Sequence, residues 1–269
     1  MKNKLSISLL ALKDFSKLDE FLNLIRKNDI KHIELPITKI LPNYELNEKK
    51  IKTFLSKISK YKIKISSLQA IFYKKKFNVL EVKDHTKIAK HLTKIILIAK
   101  LLKTKNIIFG SPKNRVRRNI SNRDAFKIFK NLLNKIQIKL IKNDIFFCIE
   151  PNSRHYGCDF ILNSLDALEF IHYSKIKNLA INFDTGNAFL EKDCTKISKK
   201  NLKYFQNFQI SEKNLKGLKK KDLNKHRKLL KQFNIKKEFI SLETLNLNFK
   251  EIEKNIKLFK LITKLNYQI

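Results

Sequence analysis

Four side chains able to hold a cation or to move a proton stand at regular intervals in the second half of this chain. Glu150, Asp184, Gln209 and Glu243 each close an apolar run: FFCIE, AINFD, FQNFQ and FISLE. Counted along the chain, the intervals are 34, 25 and 34 residues, about one strand–helix unit each. Three carboxylates delivered to one pocket would repel one another unless a cation neutralised them. An all-oxygen set favours one hard or intermediate divalent ion, Mn²⁺ or Mg²⁺ over Zn²⁺. A single acid at a strand end commonly caps the helix that follows. Four polar residues in register argue for a site.

Residues so spaced meet only if the chain between them folds into repeating units. Strand-like runs are predicted at 5–10, 32–35, 64–70, 106–109, 145–149, 179–183, 205–210 and 239–242. Helical periodicity falls between them, at 18–25, 51–61, 85–102, from 121, at 164–171, around 195–204, at 224–233 and at 249–261. The stretch 51–61, for example, places Ile51, Phe54, Leu55 and Ile58 on one face. The continuous apolar run 145–149 suits a parallel strand buried on both sides. Eight β/α pairs predict a single α/β domain over 1–269, a closed (β/α)8 TIM barrel, with a doubly wound sheet as the alternative. Gly110, Pro112, Pro151, Gly157, Gly186 and Pro36 all follow strand-like runs in a chain with only four glycines and four prolines. They predict tightly specified loops at the C-terminal strand ends, where barrels carry their active sites.

The formal charge of +35 invites a nucleic-acid reading. However, only seven of the 59 basic residues are arginine, and the lysines are spread over nearly every segment among Ile and Asn. A solvated lysine coat explains this, and no specific nucleic-acid partner is expected. Cys148, Cys158 and Cys194 lack close pair spacing, which predicts reduced thiols and a cytoplasmic protein. No apolar run approaches the ~18 residues of a membrane span, so no membrane partner is expected.

Several stretches resemble the xylose isomerase-like TIM barrels, in particular their sugar-phosphate isomerases and epimerases. They are SLQAIFY from Ser67, FGSPKNR from Phe109, IEPN from Ile149, YGCDF from Tyr156, DTG from Asp184, ISE from Ile210, and His226 seventeen residues before Glu243. In that family Glu, Asp, His and Glu hold a metal at four strand ends. Glu150, Asp184 and Glu243 match, while Gln209 stands where the family usually has His. Asn187 likewise follows Asp-Thr-Gly where His is usual. The resemblance implies proton transfer next to a carbonyl through an enediolate. Glu150 and Glu243 would be the acid/base pair.

For substrate contacts the resemblance implies Asn152, Asn187, Glu212 and His226. Gln69 ends the third strand at the same mouth, and Tyr156 lies in the loop after Glu150. Lys113 and Arg115 offer capture of a phosphate or carboxylate, or else form a salt-bridged surface loop. The expected partner is a small sugar or sugar phosphate. Barrels of this group often pair, so homo-oligomerisation stays open. Two other readings compete. One is a DNA-repair (AP) endonuclease of the same superfamily, whose multi-metal centres are rich in His that this chain lacks at its strand ends. The other is a sugar-binding barrel that has lost turnover, suggested by Gln209 and Asn187.

Overall fold

The computed structural model describes residues 4–193, 197–233, 235 and 238–264. Cys194 and the start of the helix expected near 195 lie outside them. Eight parallel strands run in chain order: β1 Lys4–Ser8, β2 His32–Pro36, β3 Lys64–Gln69, β4 Asn106–Phe109, β5 Phe146–Ile149, β6 Leu179–Asp184, β7 Phe205–Ile210 and β8 Phe239–Leu242. β8 pairs back onto β1, so the sheet closes into the predicted barrel. Closure leaves no unpaired sheet edge. The helices are α1 Leu18–Lys27, α2 Glu48–Lys60, α3 His85–Leu101, α4 Asn122–Lys142, α5 Ser164–Ser174, α6 Thr185–Leu190, α7 Leu223–Lys231 and α8 Phe249–Lys264.

Side chains alternate along a strand, and here each face meets a different environment. Ile107, Phe109, Phe147, Ile149, Ile181 and Phe183 point outward into the large core beneath the helices. Phe109 packs there between Phe129 and Phe147 in tilted contacts, with centroids 5.7 and 5.3 Å away. The intervening residues line the barrel's interior. Ile108, Cys148 and Ala180 lie in register on β4, β5 and β6 and form a separate small apolar cluster. Around the rest of the barrel, and toward the C-terminal ends of the strands, the interior turns polar. Glu34, Ser67, Gln69, Asn182, Asp184, Asn207, Gln209, Ser241 and Glu243 are all buried. Such interiors are usually filled with branched apolar side chains. The substitution of polar groups at this level prepares the site.

Helix starts differ from the periodic reading for a local reason. Asn47 caps α2 by accepting the Lys50 N–H, so the helix begins before the first apolar position, Ile51. Ser121 caps α4 in the same way through the Asp124 N–H. α6 was not expected: it starts directly after Asp184, whose carboxylate accepts the Asn187 N–H. The described part of the helix expected at 195–204 is a six-residue 3₁₀ segment, Lys199–Tyr204. The loop glycines serve mainly close approach. Only Gly157 has a positive φ, 78°. A Cβ on Gly110 would lie 3.2 Å from a Glu150 carboxylate oxygen, and one on Gly186 only 2.4 Å from Ser211 Oγ.

Candidate active site

The polar residues at the ends of β5 to β8 meet at the mouth of the barrel, Glu150, Asp184 and Gln209 through one set of hydrogen bonds and Glu243 through a second set that runs to Gln69. Glu150 Oε1 accepts from Asn152 Nδ2 at 2.7 Å and from Asn187 Nδ2 at 3.2 Å, and its Oε2 accepts from Asn182 Nδ2 at 2.9 Å. Asp184 Oδ1 accepts the Asn187 side-chain amide at 2.9 Å, while Oδ2 accepts Ser211 Oγ at 2.6 Å. Glu243 Oε1 accepts from Gln69 Nε2 at 3.1 Å, and Gln69 in turn accepts from Ser8 Oγ at 3.1 Å. Gln209 accepts a short hydrogen bond from Asn182 and donates to Glu34 Oε1 at 2.6 Å. Glu150 keeps a window to solvent, Glu243 is 8% exposed and Asp184 5%, whereas Gln209 and Glu34 are sealed beneath.

The electrostatics follow from this crowding. Burial pushes Glu150 up to about 8, and the neighbouring Asp184 charge adds to the rise. Burial also raises Glu34 to about 7, and the same cause holds Asp184 above its ordinary value. Glu243 is pushed well up, first by burial and then by the charges of Glu150, Glu34 and Asp184. Four acids therefore share one enclosed space, each resisting ionisation, and repulsion among them is what a bound cation would relieve. By donor chemistry the set fits a hard divalent ion. At rest its oxygens are spread among amide donors, and among the described residues no three His, Cys, Asp or Glu side chains are grouped closely enough to hold a metal.

Of the expected substrate contacts, Asn152 and Asn187 belong to the Glu150–Asp184 set and Gln69 to the Glu243 set. Tyr156 stands at the rim: burial first, then the charges of Asp184, Glu243 and Glu150, raise its hydroxyl. His226 is completely buried, with Nδ1 3.0 Å from Thr185 Oγ1 and Nε2 3.2 Å from Glu212 Oε1. It lies behind Glu212, and the pair connects to Asp184 through Thr185 and Ser211. The Lys113–Arg115 pair is split. Lys113 is exposed, whereas Arg115 is wholly buried against the Phe109 ring, 5.3 Å from its centroid, and donates to the Glu150 carbonyl. Arg115 Nε and Nη1 have no hydrogen-bond partner.

Sequence reasoning passed over Glu34, Asn182, Asn207 and Ser67. The available signal was a polar residue breaking an otherwise apolar strand, the same signal that marked Glu150. Glu34 was hidden because the charged side chain sits in the middle of the run HIELP, not at its end.

On this fold the chain belongs to the xylose isomerase-like TIM barrel family, whose model matches residues 22–260. No curated protein matches it. Among solved structures it is similar to D-allulose 3-epimerase from Methylomonas sp. in complex with D-allulose. The TM-score is 0.74 at 13% identity, covering 99% of this chain and 98% of that one. It is also similar to the IolI protein with a binding zinc atom, with a TM-score of 0.71 at 16% identity over 99% and 100% of the two chains. A third is an AP endonuclease, family 2, from Brucella melitensis, with a TM-score of 0.72 at 13% identity over 94% and 96%. At these identities the likeness establishes the fold. Among the described residues no helix is long and apolar enough to cross a membrane.

Proposed function

We propose that this barrel is a divalent-metal-dependent isomerase or epimerase of a sugar or sugar phosphate, working by proton transfer through an enediolate. The observation that carries this reading is the pair Glu150 and Glu243, which end β5 and β8 and face one enclosed mouth. Both carboxyls are raised, Glu150 to about 8 and Glu243 well above its ordinary value. A proton-transfer group works best when its pKa lies near the operating pH. One carboxylate takes the proton beside the substrate carbonyl, and the other returns it to the same or the adjacent carbon. Glu150, Asp184 and Glu243, with the Gln209 amide oxygen, would hold the cation, which supplies Lewis-acid polarisation of the carbonyl. Mn²⁺ or Mg²⁺ suits these oxygens better than Zn²⁺. Gln69, Asn152, Asn187, Tyr156 and Glu212 offer hydroxyl contacts around the mouth.

A barrel that binds a sugar without turning it over is the second reading. It is favoured by Asn182 Nδ2, which already bridges Glu150 and Gln209. The deciding experiment incubates the protein with Mn²⁺ and a panel of ketoses and their phosphates in heavy water. Deuterium entering the carbon next to the carbonyl supports the isomerase. Saturable sugar binding without exchange supports the second reading. Cleavage of abasic-site DNA at physiological salt would replace both with an endonuclease.

A further inference from the structure

Glu34 lies midway along β2, and has no exposed surface. Three neighbours donate to it: Ser67 Oγ at 2.7 Å and Asn207 Nδ2 at 3.5 Å to Oε2, and Gln209 Nε2 at 2.6 Å to Oε1. All three of these hydrogen bonds are accepted by Glu34, the pattern of its ionised form, which predominates above about pH 7.

This has a directional effect on the amides beyond it. An amide side chain has a donating end and an accepting end, and turning it over exchanges them. Glu34 claims the donating end of Gln209, so the accepting end must face the other way. There it meets Asn182 Nδ2, which also donates to Glu150 Oε2 at 2.9 Å. Asn182 is fixed in the same sense, because its Oδ1 accepts from Asn207 Nδ2 at 2.7 Å. Asn207 donates to both Glu34 and Asn182 and leaves its own Oδ1 buried without a partner. A buried acceptor left unsatisfied is costly. That cost is the sign of an orientation imposed by the two acceptors at the ends of the chain, Glu34 and Glu150.

We propose that Glu34 is a positioning residue of the site: it locks the Gln209 side chain so that its amide oxygen is turned toward Glu150. Without that acceptor, Gln209 is free to present its NH₂ to the site instead, which repels a cation and donates where an acceptor is needed. Glu34 itself touches neither substrate nor reacting atoms; it acts through Gln209.

The test reads the amide directly. In ¹⁵N-labelled protein the Gln209 NH₂ signals, assigned by their loss in Gln209→Ala, are expected as one slowly exchanging, hydrogen-bonded pair. A fast-exchanging averaged pair in the unmodified protein overturns the proposal without any variant. In Glu34→Gln, which keeps the size and removes the acceptor-only charge, exchange of that NH₂ is expected to quicken at least tenfold. A second set of signals, from the turned amide, should accompany it. A folded Glu34→Gln protein with unchanged Gln209 signals overturns the proposal, because a merely structural Glu34 would lower stability and leave the amide in place. Mn²⁺ titration adds an independent reading. Glu34→Gln should weaken binding about tenfold in the otherwise unmodified protein and have no effect in the Gln209→Ala background, whereas equal losses in both overturn it. The amide signals need no cation or sugar. If the unmodified protein binds no Mn²⁺, the cation reading of the proposed function fails while the signals still decide the role of Glu34.

Discussion

The Ser211 hydroxyl donates to Asp184 Oδ2 at 2.6 Å, and the bare Cα of Gly186 is what leaves room for it. Asp184 at the same time caps α6 through the Asn187 N–H at 2.7 Å. The acid at the end of β6 is therefore both a helix cap and a member of the site. The two roles weighed against each other in the sequence are filled by one carboxylate, whose Oδ1 accepts both the cap N–H and the Asn187 side-chain amide.

Gly186→Ala is expected to destabilise the protein by about 1–3 kcal/mol, the usual cost of overpacking. Alanine favours helix over glycine by only about 1 kcal/mol, so the 2.4 Å approach to Ser211 Oγ decides the sign. Urea unfolding measures it. Unchanged stability would mean that Ser211 turns aside without loss.

Glu243→Gln removes one of the two proposed proton carriers while keeping the shape. Solvent exchange into substrate should fall by roughly 10²–10⁴-fold, as is usual for a lost acid or base. At pH high enough to ionise Glu243, metal-free stability should hold or rise, because a charge resisted by its surroundings disappears. A variant that exchanges at the normal rate removes Glu243 from the acid/base pair.

The metal-free protein should lose stability as pH rises. Glu150 lies at about 8 and Glu34 at about 7, both above the ordinary 4.5, so folding favours their protonated forms. Their contribution is complete below about pH 4.5 and is lost as pH climbs through 7 and 8. Melting temperatures recorded across that range with a chelator should decline, and Mn²⁺ should flatten the decline by stabilising the ionised forms. A chelated protein whose stability increases toward pH 8 would contradict the raised carboxyls.

Gln209→His restores the residue usual in the family. An imidazole can keep an N–H directed at Glu34 and offer its other nitrogen to the site. Mn²⁺ affinity is expected to rise by about tenfold or more, since imidazole is the better ligand for transition metals. Calorimetric titration of both proteins checks this. Equal affinities would take residue 209 out of the ligand set.

Much of the architecture was legible because barrel strands and helices write their periods plainly into sequence. The strand 106–109 and the cap at Ser121 needed only local rules. The site was legible where a polar residue ended an apolar run, as at Glu150 and Glu243. It was not legible where polarity lay within a strand, because Asn182 and Asn207 gain their meaning only from closure, which sets β6 and β7 opposite β2. Arg115 is the contrasting case. Its residue type suggested an anion clamp or a salt-bridged surface loop, but the chain folds it inward over Phe109, wholly buried.

The evenly spread lysines have a kinetic meaning as well. A charge of +35 distributed over the whole surface draws any anion inward from all sides, yet gives it little sense of where the mouth is. An anionic sugar arriving by that field would meet, at the end of its path, an opening lined with acids. Added salt, which shortens the reach of the outer field to about 8 Å at physiological strength, would slow arrival while leaving the enclosed acids almost untouched.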